Sequence, residues 1–187
     1  MKKIMITFLL AVLCVSVQTP IVDATRKDYA SLKIDTSAVS NEKQLVKRSQ
    51  LIVYGRPDTA YEEYPTNTKV PGGKVVNFLQ KIHVLQTMKG TTPQLITLLT
   101  EGIEPLPDRS SHLNKRYPGP LAEGEYICFL QRIAGTDLYS LVGIWQGVYP
   151  VFDGKTIALK EMGFASFNNL TIDAIKKQVQ MLDKPGR

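Results

Sequence analysis

The feature that most constrains this chain is a succession of short apolar segments separated by turn residues, running from Leu51 to Leu159. The segments 51–54, 74–88, 94–100, 125–133, 138–145, 148–152 and 155–159 are rich in β-branched and apolar residues, which predicts strands. Asp153-Gly154 joins two of them and is the strongest hairpin signal in the chain. About five to seven strands at this spacing indicate a barrel or a sandwich, and closure would remove the free edges of apolar strands. We therefore predict a mainly β fold, a small OB-like barrel of five or slightly more strands.

Two helices are expected to flank these strands. Ser40 can cap a short helix that carries Leu45 and Val46, and Thr171 can cap a C-terminal helix over about 171–182. The apolar stripe of this last helix comprises Ile172, Ile175, Val179 and Leu182. Residues 25–39 are polar and resemble a leader, so residues 40–187 form one domain in this interpretation.

Two stretches have turn-rich composition and no clear period. Residues 57–73 predict a loop or a hairpin excursion, and residues 101–120 contain four prolines and predict a long loop. Long loops in compact domains are often functional. The candidate interaction residues in the second stretch are Asp108, His112, Lys115, Arg116 and Tyr117.

The N-terminus has the pattern of a secretory signal. Lys2 and Lys3 precede an apolar run from Ile4 to Val17, and small residues surround a cleavage site after Ala24. A membrane-spanning helix needs about 20 apolar residues, so the run favours a cleaved signal over a retained anchor. Leu13 stands where a lipoprotein signal needs a small residue, which argues against lipidation of Cys14. The sequence thus predicts signal peptide 1–24, a mature start at Thr25 and a secreted or envelope-associated protein without a stable membrane span.

Cysteine content and charge narrow the class further. Cys128 would be the single thiol after cleavage, so the fold must depend on its apolar core, and its apolar neighbours place Cys128 within that core. Export of such a chain suits a Gram-positive bacterium. The net charge of +6 favours anionic partners such as teichoic acids or lipid headgroups, although solubility explains scattered charges equally well.

Four segments carry a family resemblance that covers roughly residues 40–160: SQLIVYGRP, VLQTMKG, QLITLLT and LAEGEYICFLQR before a DLYSLVG hairpin. They are similar to segments of uncharacterised secreted or envelope proteins of Gram-positive bacteria, whose arrangement resembles the netrin-like domain of metalloproteinase inhibitors. This resemblance implies an OB-like five-stranded barrel. Those inhibitors chelate zinc through an N-terminal cysteine held by disulfides. Because this chain lacks that cysteine, no inhibitory residue is carried over.

No catalytic or cofactor motif stands out, and we expect no enzyme activity, cofactor or metal. His112 lies near Glu101, Glu104 and Asp108, but the spacing of a metal site or of a catalytic triad with Ser110 and Ser111 is missing. His83 is expected at the surface or half-buried. An aromatic content of 8 % and the predicted location argue against nucleic-acid binding. The loop aromatics could bind carbohydrate or protein, or could simply pack the barrel rim: Tyr61, Tyr64, Tyr117, Tyr149 and Trp145.

The leading hypothesis is a non-catalytic binding or interaction domain whose partner is unknown, with a cell-wall polymer or an extracellular protein as candidates. One alternative is an inhibitor of an extracellular hydrolase that inserts the proline-rich 101–120 loop into its target. The other alternative is a hydrolase that uses His112.

Overall fold

A computed structural model describes residues 28–184, so the predicted signal 1–24 lies outside the described residues. Strands in this part of the chain are β1 (Leu51–Val70), β2 (Gly73–Lys89), β3 (Leu95–Glu104), β4 (Glu125–Arg132), β5 (Leu138–Leu141), β6 (Val148–Phe152) and β7 (Lys155–Thr156). The α-helices are α1 (Glu42–Arg48), α2 (Leu113–Arg116) and α3 (Ile172–Asp183). Short 3₁₀ turns occupy Tyr29–Ser31, Ile144–Gly147 and Ala165–Phe167.

The strands form one sheet in the order β1-β2-β3-β5-β4-β6-β7. An additional pairing of β1 with β4 closes the first five strands into a ring. The β3–β5 pair is parallel and the other pairs are antiparallel. The prediction of a mainly β fold with a five-stranded ring and a C-terminal helix is therefore confirmed.

Alternating side chains build separate cores on the two faces of the ring strands, as the strand period requires. One face of β1 and β4 contributes Leu51, Val53, Cys128 and Leu130 to a core inside the ring, where β2 adds Ile82. The opposite face contributes Ile52, Ile127 and Phe129 to a second core that α1 and α3 cover. The buried Phe129, Tyr149 and Phe167 rings lie 5.3–5.7 Å apart at its centre.

Residues 57–73, predicted as a loop or a hairpin excursion, form part of the β1–β2 hairpin, so only the loop alternative is wrong. Strand β1 continues through Pro57 and Pro65 to Val70, and only Pro71-Gly72 turn into β2. Its pairing with β4 ends at Gly55, so beyond that point β1 pairs with β2 alone, with register shifts after Pro57 and Pro65. Proline is tolerated there because one edge of the strand is free and the ladder is already irregular.

The other long-loop prediction is wrong at one end, and two strands are shorter than expected. Strand β3 extends to Glu104, so the stretch 101–120 begins as strand and also holds α2. Strand β5 ends at Leu141 because Gly143, with φ of 67°, turns the chain into the 3₁₀ turn. Strand β7 ends at Thr156, whose hydroxyl donates to the Phe167 carbonyl oxygen and accepts from Leu170 N, which ties the end of the strand to the segment before α3.

The helix ends agree with the predictions at one cap and not at the other. The Thr171 side chain accepts a hydrogen bond from Ala174 N and begins α3, as predicted. Helix α1 is capped by Asn41 instead of Ser40, through Gln44 N. Ser40 donates to the Gln44 side chain, which brings that residue back over the cap.

Residues 29–34, within the predicted leader, lie against the outside of β2 and β3. Leu32 and Ile34 pack on Leu79 and Leu99, and the Asn77 amide donates to the carbonyl oxygens of Tyr29 and Leu32. None of the helices in residues 28–184 has the length and apolar content needed to cross a membrane.

Candidate ligand-binding cleft

A cleft of about 850 Å³ lies beside the end of β3, where the proline-rich stretch folds back over the ring. Its lining residues are Tyr61, Glu63, Phe78, Gly102, Ile103, Glu104, Pro105, Leu106, Pro107, Asn114, Tyr117, Pro118, Gly119, Pro120 and Trp145. We call this the aromatic cleft. Its volume lies within the range of small-molecule and peptide sites, and its lining is mainly apolar with few polar groups, as such sites usually are.

Strands β2 and β3 supply the floor of the aromatic cleft. Phe78 is four residues from the inward-facing Ile82 on β2, and Gly102 is four residues from the inward-facing Leu98 on β3. Both therefore continue the inner face of the ring. A Cβ atom at position 102 would lie 2.5 Å from the Phe78 ring and 3.0 Å from the Cα of Gly119. Glycine is required here because the ring and the returning loop approach the strand closely.

A buried glutamine holds the loop that forms the far wall. The Gln80 side chain is 1 % exposed, and its amide nitrogen donates to the carbonyl oxygens of Leu121 (2.8 Å) and Asp58 (2.6 Å). Its Oε1 accepts from Leu121 N at 2.9 Å. Gly119 N also donates to the Glu101 carbonyl at 2.9 Å. These bonds fix the segment 117–121 to strands β2 and β3, so the aromatic cleft is preformed.

The aromatic walls come from three separate parts of the chain. Tyr61 of β1 is 45 % exposed and contacts Phe78 edge to face, with ring centroids 5.5 Å apart. Trp145 lies in the 3₁₀ turn after β5, and its Nε1 donates to the Asn114 carbonyl at 2.9 Å. Because this donor is already engaged, the indole offers a ligand only its hydrocarbon ring. Tyr117 follows α2, and the Arg116 guanidinium lies 5.5 Å from the centroid of its ring.

Two carboxyl groups lie together in the lining. Partial removal from water and the neighbouring Glu104 raise the pKa of Glu63, and a hydrogen bond between the two carboxyls adds to this effect. Lys74 Nζ is 3.8 Å from Glu104 Oε2. The aromatic cleft therefore combines apolar rings with one acidic position, a combination that suits a neutral or cationic ligand better than a polyanion such as teichoic acid.

The predicted interaction residues do not converge on one site. Asp108 accepts hydrogen bonds from Ser110 N and Oγ, which lower the pKa of Asp108 and stabilise a local turn. Lys115 lies 3.5 Å from Glu161 at an exposed position. Tyr117 lines the aromatic cleft, with Arg116 against its ring. Of the five predicted residues, only Tyr117 belongs to the cleft lining.

His112 precedes α2 and is exposed, and its side chain makes none of the hydrogen bonds found among residues 28–184. Within the same described range, no group of three or more His, Cys, Asp or Glu side chains is placed to hold a metal ion. Glu101 lies on the far side of Tyr117 from the cleft lining, and burial raises its pKa while the charge of Arg116 opposes that rise.

The structure also places the other residues singled out from sequence. Cys128 is buried in the inner core, where burial raises the pKa of its thiol to about 12, and its core assignment is confirmed. His83 is at the surface, as predicted, with Nε2 2.7 Å from Asp58 Oδ1. Tyr64 packs edge to face on Tyr29, and Tyr149 is fully buried under α3, so neither contributes to the aromatic cleft.

Sequence reasoning missed the residues that strands bring to the cleft: Glu63, Phe78 and Gly102. Glu63 falls in the predicted loop or hairpin excursion 57–73 and Phe78 in the predicted strand 74–88, while Gly102 carries no signal in the sequence. The usable clue was the set of loop aromatics, of which Tyr61, Tyr117 and Trp145 do meet at the aromatic cleft.

A scan against protein-family models finds no match, and a search of curated proteins finds no similar sequence.

Proposed function

We propose that this chain is an exported, non-catalytic binding domain that holds its ligand in the aromatic cleft. The observation that carries the proposal is a preformed cleft of about 850 Å³ in which aromatic rings from β1, the 101–120 stretch and the turn after β5 converge. Flat amphipathic rings provide large contact area at low conformational cost, which suits recognition.

The carboxyl groups in this cleft favour binding over hydrolysis. Glycoside hydrolases separate their two carboxyls by about 5–9.5 Å, which leaves room for attack on the sugar. Glu63 and Glu104 are instead close neighbours, since the charge of Glu104 raises the pKa of Glu63. His112, the residue that would act in the alternative hydrolase hypothesis, lies outside the cleft lining.

Capture from cell-envelope extracts tests the binding function. The Tyr61→Ala/Tyr117→Ala variant should recover much less envelope material than the parent protein, since both rings line the aromatic cleft. Phe152→Ala is the matched control, because Phe152 is 69 % exposed and lies outside the cleft. Equal recovery by parent and double variant, at unchanged melting temperature, would refute a role for the cleft.

Export is tested by fractionation of the native host. The protein should appear in the extracytoplasmic fraction, with a mass that corresponds to a start at Thr25. An intact chain beginning at Met1 in the cytosol would contradict export and leave the binding test unaffected.

One observation favours a second candidate, an inhibitor of an extracellular hydrolase. Leu106 is 88 % exposed between Pro105 and Pro107, so a large apolar side chain is presented on a stretch with restricted backbone freedom. If the protein inhibits a secreted hydrolase, Leu106→Asp should abolish the inhibition and Leu85→Asp should leave it unchanged. Leu85 is the matched control because it is also exposed, at 50 %. A broad hydrolase panel without any slowing would end this candidate.

A further inference from the structure

We propose that the ligand of the aromatic cleft is an extended, proline-containing peptide segment with a basic side chain, the prolines lying on the rings and the basic group between Glu63 and Glu104. This inference rests on the proposed binding function and specifies its ligand class.

The rings and prolines of the lining offer few hydrogen-bond donors. Pro105, Pro107, Pro118 and Pro120 lack a backbone N–H, and the Trp145 Nε1 donor is already used on Asn114 O. A sugar carries hydroxyl groups around its ring, and each needs a partner when it is buried. A proline-rich segment carries no hydroxyl groups, and its carbonyl oxygens can accept from the Tyr61 and Tyr117 hydroxyls of the lining. Its extended form is already populated before binding, so it loses little entropy on docking to an aromatic groove.

Polar partners for a sugar are scarce in the rest of the lining as well. The Asn114 side-chain nitrogen donates to the Asp108 carbonyl at 2.7 Å, so it is engaged within its own loop. Apart from the Glu63 and Glu104 carboxyls, the polar side-chain groups that remain in the lining are few. The balance of apolar rings and few polar groups therefore favours the peptide over the oligosaccharide.

The acidic position supplies charge complementarity for the peptide. Glu63 and Glu104 are neighbouring carboxyls that repel each other when both are ionised. The charge of Lys74, whose Nζ lies 3.8 Å from Glu104 Oε2, acts on both carboxyls and opposes only part of this repulsion. A guanidinium presents several N–H donors in one plane and can bridge two carboxylates. An arginine of the peptide would relieve the repulsion and fix the direction in which the peptide binds.

The test is a titration of the mature protein with the synthetic peptide APPLPPRA, followed by nuclear magnetic resonance and calorimetry. We expect shifts of resonances from Tyr61, Tyr117 and Trp145, and a Kd that weakens at least about tenfold when the arginine of the peptide is replaced by glutamate. The Glu63→Gln/Glu104→Gln variant should lose a similar factor. Glu123→Gln is the matched control, since Glu123 is exposed and outside the cleft lining, and it should bind as the parent does.

The outcomes separate this inference from the binding function. If N-acetylchitohexaose shifts the cleft resonances and the peptide does not, the peptide assignment is overturned while the binding function stands. Binding of the peptide without any effect of the glutamate variants would overturn the position given to the basic group. If neither probe shifts the cleft and the tyrosine variants capture envelope material normally, the binding function itself fails.

Discussion

At the scale of single residues, the carboxyls near the aromatic cleft are defined by their surroundings. Glu63 and Glu104 belong to different strands and become a pair only because β1 and β3 both lie beside β2. Glu101 is on β3 too, but on the other face, against Arg116 and the residues 30–36. The three glutamates thus have different neighbours although two of them are close in sequence.

Glu101 gives a pH-dependent prediction. Burial raises its pKa above the usual 4.5, so folding disfavours the charged form and stability is lost as pH rises from 4.5 through the folded-state pKa. Glu101→Gln should therefore raise the melting temperature at pH 7 and flatten its decline over that pH window. Thermal unfolding followed by circular dichroism between pH 4 and pH 8 checks this, with Glu123→Gln as a control that should follow the parent curve. A lower melting temperature for Glu101→Gln at pH 7 would contradict it.

At the scale of elements, the loop after α2 owes its position to one side chain of β2. Gln80 is a polar residue among the apolar residues on the inner face of β2. The register between β2 and β3 is regular at Gln80, and the shift lies on the β1 side between Pro57 and Tyr61. Gln80 instead bridges β1 to the loop through Asp58 and Leu121.

Gln80→Leu should destabilise the fold by about 2–3 kcal/mol, because it leaves buried backbone groups of Leu121 without partners. Urea unfolding measures the free energy directly. Gln86→Leu on the same strand is the matched control, since the Gln86 side chain makes no hydrogen bond to residues 28–184 and should cost far less. Equal unfolding midpoints for the two variants would show that the bridge contributes no stability.

At the scale of the whole molecule, the ring encloses an apolar core that is independent of disulfides in the described residues. Cys128 lies in this core and pairs across the ladder with Val53 and Val148, so access to its sulfur requires strand β4 to separate from its neighbours. The thiol thus reports on opening of the ring.

In a protein that begins at Thr25, where Cys128 is the single cysteine, its thiol should react with a disulfide reagent only at the rate of global unfolding. It is 1 % exposed, and its pKa of about 12 leaves almost no thiolate near neutral pH. Reaction should become complete in urea, which serves as the positive control. Rapid reaction of the native protein would show that the ring opens locally around β4.

The sequence by itself determined the features that depend on local backbone sterics and on the content and spacing of apolar residues in a short segment. Segments rich in β-branched and apolar residues predicted β2 and β4, Asp153-Gly154 predicted the β6–β7 turn, and Thr171 predicted the start of α3. Tertiary structure alone decided that β1 continues through two prolines, that β3 and β5 run parallel, and that Glu63 and Trp145 share one cleft. The physical reason is that these contacts join distant segments, and their formation depends on strand register and chain closure instead of on the preference of any short segment.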